Sequence, residues 1–175
     1  IQWRRPVETA RSQTSVVIVG AGLSGICLAI KLRQAGIPFV IFEKNATVGG
    51  TWYENSYPGC AVDIPTQTYS FSFEPKLDWS RHFATRAELW AYLEACADKY
   101  DIRRDIQFGM EVTDARFDDE TSLWRITART SDGSPHTESS PVFVSAVGQL
   151  NRPSKPKIPG LDTFQGKIFH SSRWD

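Results

Sequence analysis

Three glycines at the spacing G-x-G-x-x-G (Gly20, Gly22 and Gly25) stand ahead of a single acid, Glu43, in a segment otherwise rich in aliphatic residues. Each glycine does something different. Gly20 permits a tight turn, Gly22 lets the backbone approach a pyrophosphate, and Gly25 lets a helix pack closely on a strand. The unpaired amides that open such a helix, with the positive end of its dipole, hold phosphate oxygens. An acid at the place of Glu43 accepts hydrogen bonds from the hydroxyls of an adenosine ribose, and its charge disfavours a 2′-phosphate. The chemistry this points to is dinucleotide binding. A glycine turn alone also serves ordinary packing, so the elements around it decide.

Those elements are present. Val16-Val17-Ile18-Val19 is β-branched throughout, as in a parallel strand buried on both faces. Leu23–Gln34 reads as a helix with Leu23, Ile26, Cys27, Ala29 and Ile30 on its apolar side. Gly36 stops it, and Phe39-Val40-Ile41-Phe42 supplies a second buried strand ending at Glu43. Further on, Thr85 and Glu88 form a capping box and predict a helix over 86–100, with Leu89, Tyr92, Leu93, Cys96 and Tyr100 buried. Residues 106–117 and 123–130 read as antiparallel strands about a turn at 118–122, and Asp132-Gly133 turns into a weakly marked third strand. Residues 142–148 return to the pattern of a central parallel strand, with the Gly148 end near the ligand. The fold class is therefore α/β, a Rossmann-like domain with a central parallel sheet and an antiparallel β excursion around 106–140.

The bulk composition narrows the partners. Twenty basic and twenty acidic residues cancel, which points away from nucleic acid and from an anionic membrane. No apolar run reaches spanning length and no secretory signal opens the chain. Cys27, Cys60 and Cys96 are far apart and odd in number, which argues against a zinc site or a disulfide framework and for a reduced, cytoplasmic setting. No metal site is expected. The 175 residues suffice for one domain with a proper core. The start at Ile1 and the end at Asp175 suggest a piece of a longer polypeptide.

Three further stretches carry information. Residues 1–14 are polar and aperiodic, and read as an arm or linker. After Glu43 comes a long irregular stretch rich in glycine, proline and aromatics, Val48-Gly49-Gly50-Thr51-Trp52-Tyr53 and onward to Pro65. Loops of that length inside a compact domain are usually functional. Pro153, Pro156 and Pro159 stand three apart, as in a segment recognised by SH3-like partners or, more simply, a stiff connector leaving a domain.

Taken together, these motifs resemble the flavin-dependent class B monooxygenases, specifically the Baeyer–Villiger type. Four pieces carry the resemblance: the glycine turn with Glu43; Gly49-Gly50-Thr51-Trp52-Tyr53 with Asn55, Tyr57-Pro58-Gly59 and Asp63; Ser145-Ala146-Val147-Gly148 with Pro153 and Ile158-Pro159-Gly160; and Phe164-x-Gly166-x-x-x-His170-x-x-x-Trp174, which matches the family fingerprint. Many relatives carry threonine where Val147 stands. The polar lead-in before Val16 is similar to relatives with an N-terminal extension, such as the 4-hydroxyacetophenone monooxygenase branch.

The resemblance implies the chemistry. NADPH reduces FAD, O₂ then gives a flavin peroxide, and that species converts a ketone to an ester or lactone. It also implies an incomplete FAD-binding domain over 15–150 and a fingerprint connector over 151–175 leading to an NADPH domain in the remainder of the parent polypeptide. Gly20, Gly22, Ser24, Gly25, Glu43 and Lys44 would hold the ADP half of FAD. Gly50, Thr51, Trp52, Asp63, Ile64 and Tyr69 would approach the flavin half, and the backbone near Val112, after the first strand of the excursion, the adenine. Asp63 would be catalytic by orienting an arginine from a later part of the parent. His170 would be structural; His82 and His136 read as surface residues. Two alternatives stand beside this: an N- or S-oxygenating flavin monooxygenase, and an FAD-binding module without catalysis of its own.

Overall fold

A computed structural model describes residues 15–175; the arm or linker expected over 1–14 lies outside them. The elements run β1 (Val16–Val19), α1 (Leu23–Gln34), β2 (Phe39–Glu43), α2 (Thr51–Glu54), α3 (Arg86–Lys99), β3 (Ile106–Phe108), β4 (Met110–Asp118), β5 (Leu123–Thr130), β6 (Pro135–Ser140) and β7 (Val142–Ser145). Strands β3-β2-β1-β7 form one parallel sheet, and β4-β5-β6 a separate antiparallel one.

The β1–α1–β2 unit matches the sequence reading at both ends of the helix. Val17 and Ile18 are wholly buried, and Ile26, Ala29 and Ile30 pack from α1 into the core, with Ile18 and Ile41 of the strands in the same cluster. Gly36, at φ +68°, ends α1, and the Ile37 amide returns to the Leu32 carbonyl. Leu23 departs from its expected burial. With Ser24 it forms the exposed side of the first turn of α1, while Gly25 and Ile26 take the buried side. On α3, Leu89, Tyr92, Leu93 and Cys96 are buried as expected, joined by Ala97, while Tyr100 is half-buried.

Several expectations are corrected. Residues 106–117 are not one antiparallel strand. Gly109, at φ +66°, breaks the run; β3 pairs parallel with β2, and β4 pairs with β5 in the other sheet. The strand β7 is parallel beside β1 but lies at the edge of the four-stranded sheet, with Val142 exposed, instead of centrally. The capping box closes on one side only: Thr85 makes no side-chain cap bond, while Glu88 interacts with the Thr85 backbone amide and accepts chiefly from Ser80 N at 3.0 Å and Ser80 Oγ at 2.7 Å. His82 is exposed as read, but His136 is half-buried, its ring set edge-on against Phe42 at 5.5 Å.

Candidate dinucleotide site

The turn after β1 is built as its glycines require. Gly20 holds φ +101°, and a Cβ there would come within 2.7 Å of the Ala146 carbonyl oxygen just beyond β7. A Cβ on Gly25 would collide with the Gly20 carbonyl oxygen. The N-cap of α1 is Gly22, which has no side chain to cap with, and the first turn holds no acid, so among the described residues the helix does not answer its own positive end. Ser24 is exposed there.

The second glycine segment meets the first backbone to backbone. Gly49 N donates to Ala21 O at 2.9 Å, and a Cβ on Gly50 would stand 3.0 Å from Gly22 Cα. Gly50, at φ +53°, opens the short helix α2, with Thr51 exposed and Trp52 buried. Helix α3 holds this segment from behind. Trp90 Nε1 donates to Val48 O at 3.0 Å, and an Arg86 Nη donates to Tyr53 O at 2.7 Å. Trp52 Nε1 donates to the Tyr69 hydroxyl at 3.0 Å. Burial pushes the Tyr69 phenol up and the neighbouring Asp63 charge adds to this, against the indole N–H that favours the phenolate. Asp63 and Ile64 are themselves exposed. Their loop is pinned by Val62 N on Ala84 O and by buried Thr66, whose hydroxyl donates to His82 O at 2.6 Å and accepts from Ala84 N at 2.7 Å.

At the end of β2, Glu43 is buried. Its Oε2 accepts from Ala21 N at 2.6 Å, and its Oε1 from Asn45 N at 2.9 Å and Asn45 Nδ2 at 2.8 Å. The acid therefore also braces the glycine turn, while Oε2, with a single donor, keeps lone-pair capacity for a further one. Lys44 turns to Glu54 at 2.9 Å. Val112 does not follow the first excursion strand, as expected, but lies within β4; its side chain packs against the cluster of Val17, Val40 and Phe42, at the edge of a bulge between Val112 and Asp114. In the fingerprint, the exposed Phe164 ring lies over Gly166 and would have to move to admit a Cβ there. The imidazole Nδ1 of His170 accepts from Ser172 N at 3.1 Å and caps a short 3-10 turn, and Trp174 sets its ring against Phe169.

The structure thus brings Gly20, Gly22, Gly25, Glu43 and Gly50 together, with Trp52, Tyr69 and Asp63 as one adjoining group. Sequence reasoning missed Asn45, Glu54, Arg86 and Trp90, which act through contacts distant in the chain. Two surface clefts, of about 430 and 500 Å³, lie elsewhere, one between the Glu74–Asp78 loop and α3 at Tyr92 and Cys96, the other beside Arg33 and Phe39; neither includes a glycine-turn residue.

A profile for the NAD(P)-binding Rossmann-like domain matches residues 18–86. The domain is Rossmann-like. A Baeyer–Villiger monooxygenase of Pseudomonas aeruginosa is 43% identical over 172 residues, which are 98% of this chain and 32% of that protein. One of Streptomyces coelicolor is 45% identical over 169 residues, 96% of this chain and 32% of that protein. Among solved structures, OTEMO in complex with FAD and NADP superposes with a TM-score of 0.83 at 36% identity, covering 93% of this chain and 30% of that one. The chain spans about a third of the length of the curated relatives it matches. Among the described residues, no helix is long and apolar enough to cross a membrane.

Proposed function

We propose that this chain is the FAD-binding portion of a Baeyer–Villiger-type monooxygenase that uses NADPH and O₂ to oxidise ketones to esters or lactones. The observation that carries the proposal is the junction of the two glycine segments, where Gly49 N bonds Ala21 O and a Cβ on Gly50 would crowd Gly22 Cα at 3.0 Å. A glycine turn that only packed a helix would not need a second, separately braced glycine pair against it.

The residues present fit the cofactor. The first amides of α1, with Gly20, Gly22, Ser24 and Gly25, would take the pyrophosphate, and Glu43 the ribose hydroxyls. Lys44 stands beside Glu43 at that end, and the bulge after Val112 leaves backbone for the adenine. Gly50, Thr51, Trp52, Ile64 and Tyr69 would border the flavin half. When bound, FAD supplies hydride acceptance and oxygen activation. Asp63 is an exposed carboxylate beside Tyr69, available to orient a cation from the remainder of the parent. Exposed Leu150, Ile158, Phe164, Ile168 and Trp174 give that remainder, which would carry the NADPH site, an apolar surface to cover. The polar lead-in supports the 4-hydroxyacetophenone monooxygenase branch, and the unpaired cysteines a cytoplasmic setting.

The test is steady-state and stopped-flow kinetics of the parent enzyme carrying Asp63→Ala. The expected result is FAD still bound, with flavin reduction slowed or the reduced flavin reoxidised by O₂ without conversion of ketone. Normal rates in both halves, with ketone converted, would leave Asp63 a loop residue.

A further inference from the structure

Both ends of the connector meet at one ion pair. Lys44 Nζ, 2.9 Å from Glu54 Oε1, also donates to Asn151 Oδ1 at 2.6 Å. Glu54 Oε2 lies 3.6 Å from Arg173 Nη1. Asn151 opens the connector, six residues beyond the end of β7, and Arg173 closes the turn that His170 caps. Between them run the three prolines and the exposed Ile158, Phe164 and Ile168.

Glu54 is well placed to hold them. As the last residue of α2 it sits on the braced glycine segment, with its side chain only 11% exposed. Asn45 Nδ2 donates both to Glu54 Oε1 at 3.0 Å and to Glu43 Oε1 at 2.8 Å. The Ala21 amide completes the path on the other oxygen of Glu43. A continuous polar route therefore runs from the glycine turn through Glu43, Asn45 and Glu54 to Arg173. The pair Lys167–Asp175 offers the contrast: both side chains are 63% exposed, in the range where ion pairs contribute little.

We propose that Glu54, with Lys44, is a clasp that seats the connector on the dinucleotide loop, and that Glu54 and Asn45 are positioning residues coupling dinucleotide binding to the placement of the fingerprint. The coupling rests on the proposed FAD role; the clasp itself does not. A ribose that fixes Glu43 fixes Asn45 and the clasp with it, and by linkage a seated connector tightens ribose binding by the same factor.

Hydrogen exchange of the 164–174 amides, followed by mass spectrometry on the whole chain with and without FAD, tests both parts. Without FAD, Glu54→Gln should speed exchange there by about two- to fivefold, the scale of a partly exposed ion pair, and leave β4 and β5 unchanged. Arg173→Gln, which spares Lys44 and Asn45, should do the same and stands in if Glu54→Gln does not fold; Asp175→Asn should do nothing. FAD should slow exchange of this segment in the unaltered chain and not in Glu54→Gln. Unchanged exchange in both Glu54→Gln and Arg173→Gln would overturn the clasp, and slowing by FAD that survives Glu54→Gln would overturn the coupling. A chain that binds no FAD would sink the proposed function and the coupling with it, while the exchange measured without FAD still decides the clasp.

Discussion

Glu43 serves the fold and the site at once, which sets what its replacement does. Its carboxylate satisfies the buried Ala21 amide at 2.6 Å, so Glu43→Ala should cost about 1–3 kcal/mol of stability, the penalty of an orphaned buried donor. Urea denaturation measures that. Glu43→Gln keeps an oxygen for one of these donors and removes the charge. It should leave far-UV circular dichroism intact while FAD binding weakens by about 1.5–3 kcal/mol, the range of a charge-assisted bond. Equal FAD affinity in Glu43→Gln would remove the acid from the ribose site. Gly25→Ala allows no such separation, because the new methyl meets the Gly20 carbonyl oxygen. It should lower the melting temperature and abolish FAD binding together.

At the scale of elements, the irregular loop before α3 depends on one wholly buried hydroxyl. Thr66→Val keeps the shape and strands Ala84 N, while His82 O keeps the Thr66 backbone amide, so it should destabilise by about 1–3 kcal/mol in urea. The clasp between α2 and the connector has a pH signature. Burial pushes the Glu54 carboxyl up, but Lys44, Asn45 and Arg173 outweigh it and hold it below the usual carboxylate range. A group depressed in this way stabilises the fold above its ordinary value and loses that contribution as pH falls through the lowered one. The gap in urea midpoint between the unaltered chain and Glu54→Gln should therefore hold from neutrality down to the ordinary carboxylate range and close below it. A gap that is the same in strong acid would contradict the ion-pair account. These long-range pairings left no mark in the sequence. Asn45 lies in the loop after β2, nine positions before Glu54 at the end of α2, and Arg173 is one of the positions the fingerprint spacing leaves unspecified.

For the whole molecule, what could be read in advance was what local pattern controls. The bounds of α1 and β2 follow from β-branched runs, a helical period and a stopping glycine. The split at Gly109 could not be read, because alternation continues through it and only its positive φ sends β3 and β4 to different sheets. The edge place of β7 was hidden for a related reason: a strand's own residues do not say whether both its neighbours are paired. Motif spacing located the glycine turn and Gly50 but not their contact, which is a property of the fold. The central claim is that this contact makes a site for FAD. Equilibrium dialysis of the purified chain against FAD, FMN and NADPH tests it most directly. Saturable binding of one FAD per chain is predicted, with FMN much weaker because it lacks the ADP half that the glycine turn and Glu43 would hold, and NADPH weaker because Glu43 opposes its 2′-phosphate. Equal binding of FMN and FAD, or retention of NADPH in preference to FAD, would contradict it.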